Sequence, residues 1–133
     1  MEGMSAPGRL RALTRAYDDA GGSGSKVLIR RVWLGSARHE LVKKQRAVYE
    51  SYAAGGPDSF GEDQTIASDD PLDLAERLAA AVEEAGADAL NLRVQLPGMA
   101  PEEVREQIAA IGTSVVSRLR TSWPQADAAR RTI

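Results

Sequence analysis

The chain has 133 residues, the size of one small domain, and its 17 lysines and arginines against 19 aspartates and glutamates give a net charge of −2. That balance offers no row of cations to neutralise nucleic-acid phosphates, and the lack of cysteine removes disulfides, thiol catalysis and thiolate-held metals. His39 is the sole histidine, so no multi-histidine metal site can form within one chain, while 43% apolar and 27% charged residues argue for a folded domain over a disordered one.

Residues 7–20 read as a helix, with Leu10, Leu13, Tyr17 and Ala20 on one face, Pro7 suited to the first turn and Gly21-Gly22 to the stop. A glycine- and serine-rich loop over 21–25 leads to the strongest strand, 26–34. There Val27, Leu28, Ile29, Val32, Trp33 and Leu34 form a nearly continuous apolar run, the pattern of a parallel strand covered on both faces. Ser36 is placed to cap a second helix, whose stripe is Leu41, Val42, Gln45, Val48, Tyr49 and Tyr52 and whose end falls near Gly55. The polar stretch that follows contains one short extended piece at 65–67. Asp69 or Asp70 then caps a third helix with Pro71 in its first turn, the stripe Leu74, Ala75, Leu78, Val82 and Ala85, and Gly86 as the stop.

Residues 89–96 form the second strand, closed by Pro97-Gly98. The last helix runs from 101 to about 119 on a seam of Val104, Ile108, Ile111, Val115 and Leu119, with Glu102 and Glu103 at its positive end and Arg118 and Arg120 at its negative end. A single domain over 1–133 is expected, ordered from about residue 9 to 120, with 121–133 as a tail. No run approaches the roughly 18 apolar residues of a membrane span. The first twenty residues also lack the apolar segment of a secretion signal, so the cytoplasm is the expected location.

The order α-β-α-α-β-α is a run of β/α units and predicts an α/β fold with a parallel sheet and right-handed crossovers. A complete β/α barrel takes about 250 residues, or about 31 per unit. The chain has the length of about four such units yet shows two strands, so it reads as a piece of something larger. A weak internal repeat points the same way: Arg31, Val32 and Leu34 align with Arg93, Val94 and Leu96, each followed by a glycine and a helix.

Arginine inside an apolar strand needs an anion, a carboxylate or water, because a buried unpaired guanidinium costs several kcal/mol. Arg31 and Arg93 lie in the second halves of their strands, toward the end that carries function in β/α folds. Alternation puts Arg93 with Asn91 and Gln95 on one face and Leu90, Leu92, Val94 and Leu96 on the other. In a barrel the polar face would look into the lumen at the catalytic end. The plainer reading pairs these groups with carboxylates such as Glu62 or Asp63. His39 reads as a solvated histidine beside Lys43 and Arg46, and Trp33 and Tyr52 as core. The glycines at 21–24 precede a strand and so fail the context of a phosphate-binding loop. No catalytic set and no metal site is assembled.

The stretches "VLIRRVWLG", "LVKKQRAVYESYA", "IASDDPLDLAERLAAAVEEAGADALNLRVQLPGM" and "PEEVREQIAAIGTSVVSRLR" together resemble the C-terminal part of the luciferase-like, flavin-dependent monooxygenases and oxidoreductases. The most specific portion runs from Gly86 through Arg93 to Gly98 and looks like that family's eighth strand and following loop. The resemblance implies the last strands and helices of a truncated (β/α)8 barrel, with FMN or a deazaflavin as cofactor and Arg31, Asn91, Arg93 and Gln95 as cofactor-binding rim residues. With strands one to six of the family absent, it implies a chain incomplete as a catalyst alone, dependent on a homo-oligomer or on a partner chain that supplies the missing strands. The alternative is a non-catalytic remnant or assembly module that associates through its exposed sheet. Neither nucleic acid nor membrane is an expected partner.

Overall fold

The computed structural model describes residues 5–36, 38–53 and 64–123. The expected tail beyond 123, the carboxylates Glu62 and Asp63 and the side chain of Tyr52 lie outside them. The elements are α1 (Pro7–Asp19), β1 (Val27–Leu34), α2 (Glu40–Ala53), β2 (Ile66–Ser68), α3 (Pro71–Ala85), β3 (Ala89–Arg93), α4 (Pro101–Ile111), a π-helical turn (Gly112–Val116) and α5 (Ser117–Ser122). The fold is mixed α/β, as expected, but helices and strands alternate throughout. The short extended piece at 65–67 is a true third strand, one residue later.

All three strands are parallel, in the order β2-β1-β3. Val32, Trp33 and Leu34 pair with Ile66, Ala67 and Ser68, and Val27 through Arg31 pair with Ala89 through Arg93. The register on the β3 side is pinned where the strands start. There the Asp88 carboxylate accepts the Lys26 amide at 2.9 Å, and the Lys26 carbonyl accepts the Asp88 amide at 3.0 Å.

Going from β1 to β2 and then back across β1 to β3 reverses direction, so two right-handed crossovers must put α2 and α3 on opposite faces. The core obeys this. Leu28 packs with Leu10, Ala81, Val82 and Ala85, and Val32 packs with Leu74, Leu78, Ile111, Val115 and Leu119, so α1, α3 and the α4–α5 run cover one face. Trp33 and Ala67 pack with Val42 of α2 and with Leu96 on the other. A segment of a barrel would keep its strands in chain order with every helix outside. The reversal found here is that of an open, doubly wound sheet.

Helix α3 forms as its local signals require. The Asp70 carboxylate accepts the Leu72 amide at 2.9 Å, Pro71 opens the first turn, and Gly86 closes the helix at φ 68°, a left-handed conformation that glycine adopts without cost. Asp70→Ala is expected to lower stability by about 0.5–2 kcal/mol, measured as a shift in the denaturant midpoint at unchanged slope. Asp69 is exposed and is not the cap.

Three faces differ from their periodicity. In α1 the inward residues are Leu10 and Thr14, while Leu13 is 57% exposed. The cause is polar: the Thr14 hydroxyl donates to the Ala85 carbonyl at 2.9 Å, satisfying the end of α3, and this turns Leu13 and Tyr17 outward. In α4 Ile108 is 55% exposed, and Gln107 turns inward instead. The wider i→i+5 winding of the π turn then carries Ile111, Val115 and Leu119 at four-residue steps along one buried line. Strand β3 ends at Arg93, not at 96, and past that end Leu96 crosses to the α2 side of the sheet.

Candidate functional site

In open α/β sheets ligands sit outside the carboxyl ends of the strands, where the strand order reverses. Here that place lies between the loops that follow β1 and β3. Arg31 and Arg93 are direct partners in the register, so two guanidinium side chains project side by side from one face just below it. Asn91 shares this face, opposite Ile29. Gln95 lies beyond the strand's end, and its carbonyl accepts a hydrogen bond from the Arg31 guanidinium. The four residues singled out in the sequence are thereby gathered at one end of one face.

That face is open to solvent. Asn91, Arg93 and Gln95 are exposed, and Arg31 is half-buried. A three-stranded open sheet encloses no lumen, so the expected interior position for the polar face is corrected: alternation placed these side chains together, with Asn91, Arg93 and Gln95 exposed and the Nε of Arg31 buried beside them. The Arg93 guanidinium makes no hydrogen bond or ion pair among the described residues. Like charges set directly opposite on neighbouring strands repel, and the Gln95 carbonyl takes up part of the Arg31 charge.

The arginine that is buried is Arg30, 1% exposed, which periodicity places on the opposite, helix-covered face. Its guanidinium donates to the Ser5 carbonyl at 2.6 Å and to the Ile29 carbonyl at 2.9 Å, so the buried charge is solvated by backbone oxygens. The sequence signal was present in its parity with Leu28 and Val32. The anchoring carbonyl, 25 positions away ahead of α1, was not readable.

At the end of β1 the chain is held from two sides. The Gln107 amide reaches across from α4, accepting the Leu34 N–H at 3.1 Å and donating to the Leu34 carbonyl at 3.0 Å. On the other side the Gly35 amide donates to the Ser68 carbonyl at 2.8 Å. Trp33 is core, 8% exposed, and its ring centroid lies 5.0 Å from that of His39. Its buried indole N–H has no acceptor among the described residues. A Cβ on Gly35 would stand 2.7 Å from that nitrogen, so only glycine fits beside the indole.

Helix α2 begins later than expected. His39, not Ser36, is its cap: Nδ1 accepts the Leu41 amide at 3.2 Å, while the Ser36 hydroxyl accepts the Arg38 amide at 3.1 Å within the preceding turn. The exposed His39 is thus a capping residue with a ring contact, and it faces no reacting group. Among the described residues no group of three histidine, aspartate or glutamate side chains could hold a metal ion, and no helix is long and apolar enough to cross a membrane. Compared with known proteins, the chain matches no family model, no curated protein and no solved structure.

Proposed function

We propose that the carboxyl end of the open sheet face binds the phosphate of a flavin cofactor, FMN or a deazaflavin, as part of an oxidoreductase whose remaining walls come from a second chain. The observation that carries this reading is Arg93, an exposed guanidinium without a partner among the described residues, set in register beside Arg31. An anion between the two would turn their repulsion into a shared, charge-assisted contact. Asn91 and Gln95 add amide groups on the same rim.

The flavin, when bound, would supply the redox chemistry. The chain's own part is to seat and orient the phosphate end, with the guanidinium groups donating to its oxygens. An open rim suits a phosphate, whereas a tricyclic ring needs apolar walls on both sides. The reading therefore includes a homo-oligomer or a partner chain packed over this face. The closed barrel of the luciferase-like family is the finer form of the proposal. The strand order β2-β1-β3 favours instead an open sheet completed by another chain.

Titration with FMN and with riboflavin, which lacks only the phosphate, followed by flavin fluorescence, tests the proposal. FMN is expected to bind at least about tenfold tighter, the scale of one hydrogen bond to a charged group. Equal affinity for the two, or binding of neither, overturns it. A second reading, an assembly module, is favoured by the outer edges of β2 and β3, which pair with no further strand among the described residues. A stable dimer in light scattering that binds no flavin would select that reading.

A further inference from the structure

We infer that the turn between β1 and α2 binds a small carboxylate, with the Trp33 indole N–H as the inner donor and the His39 Nε2–H as the outer one. The inference goes beyond the flavin reading and uses none of its residues. Trp33 is 8% exposed, and its indole N–H meets no acceptor among the described residues. Nearly all buried donors have a partner, because an unmet N–H keeps the full cost of leaving water. The nitrogen is turned toward the chain at Gly35: it lies 2.7 Å from the point where a Cβ on that residue would stand, and the three atoms nearest that point all belong to the indole. Lacking a side chain, Gly35 leaves the N–H uncovered on that side.

The outer donor follows from the helix cap. His39 Nδ1 accepts the Leu41 amide at 3.2 Å, so that nitrogen carries no proton and the neutral ring holds its proton on Nε2. Nε2 makes no hydrogen bond or ion pair among the described residues, and the exposed ring leaves it open to a ligand arriving from solvent. The imidazole and indole centroids are 5.0 Å apart at an interplanar angle of 46°, a spacing that one carboxylate spans with an oxygen for each N–H. Both groups donate and neither accepts, which selects an oxygen acceptor. They stand at the N-terminal end of α2, a 14-residue helix whose partial positive charge favours an anion there. Glu40, the acid of the first turn, lies 3.3 Å from Lys43 and is engaged one turn along the helix. The chain leaves β1 here at the point where the strand order reverses, the place where open α/β sheets take their ligands.

Proton–nitrogen correlation spectra of the full chain, titrated at constant pH and ionic strength with sodium acetate and separately with acetamide, test this. The chain has two indole N–H signals, from Trp33 and Trp123, and Trp123→Phe identifies the one that belongs to Trp33. Acetate is expected to move the Trp33 signal downfield along a saturable curve, to leave that of Trp123 in place, and to bind at least about tenfold tighter than acetamide. His39→Ser keeps a side-chain cap on α2 and removes the ring donor, and should weaken acetate at least about tenfold. A Trp33 signal that does not move, or a shift shared equally by Trp123, overturns the site. Equal affinity for acetamide overturns its preference for a carboxylate, and unchanged acetate affinity in His39→Ser overturns the pairing of the two donors. The FMN titration is read at Arg93, so either proposal can fail while the other stands.

Discussion

Arg93→Ala is expected to weaken FMN binding by about 1.5–3 kcal/mol, the worth of a hydrogen bond to a charged group, while leaving the folded state as stable as before or slightly more so. The two halves of this result have one cause. Arg93 is exposed and its guanidinium has no partner among the described residues, so truncation removes no contact seen to hold the fold. It also relieves the like-charge pairing with Arg31 across the β1–β3 register, worth about 0.2–1 kcal/mol. A residue that lowers stability where it stands and raises affinity for an anion is behaving as a binding residue. Arg93→Lys separates the modes of contact: a two-point grip on phosphate is lost with lysine, whereas a simple charge contact survives. Flavin fluorescence titration and a denaturant curve on the same preparations check both halves. A marked loss of stability without a change in affinity would assign Arg93 a structural partner instead.

Leu78→Ala is expected to cost about 2–5 kcal/mol, the larger part of what a small domain has to spare. Leu78 is fully buried on α3, in the cluster that joins Val32 of β1 to Ile111, Val115 and Leu119 of the C-terminal helical run. Truncation removes its transfer free energy and leaves a cavity lined by rigid elements that cannot close over it. Leu78→Met, close in volume, should cost less than about 1.5 kcal/mol. Thermal and urea unfolding of both variants provide the measurement. Near-equal effects would mean that the site collapses freely and that the α3 layer is loosely packed.

What the sequence disclosed follows from the range of the forces involved. Helix α3 was legible in full because its cap, its opening proline, its apolar stripe and its closing glycine all lie within seventeen residues of one another. The inward faces of α1 and α4 were misjudged because Thr14 and Gln107 turn inward to satisfy backbone groups about seventy positions away, and no hydropathy scale credits a polar side chain for that. Strand β2 was seen only as an extended piece because three residues carry too little pattern. For the candidate site, period-two alternation grouped Asn91 with Arg93, and a repeat singled out Arg31. That Arg31 and Arg93 would be register partners, and that their face would lie open, depends on strand order, which is a property of the whole chain.

The central place of β1 has a consequence for how the chain is made. Synthesis delivers Val27–Leu34 before its partners, which are Ile66–Ser68, Ala89–Arg93 and the Gln107 amide, the last 73 positions downstream of Leu34. Until those segments follow, this apolar strand waits with both hydrogen-bonding edges bare, the condition under which nascent chains adhere to one another. Arg30 and Arg31 break that run at its midpoint. One ends buried against backbone carbonyls and the other half-buried beside the open face, and before either reaches its place the pair of charges keeps "VLI" and "VWL" from acting as one adhesive segment.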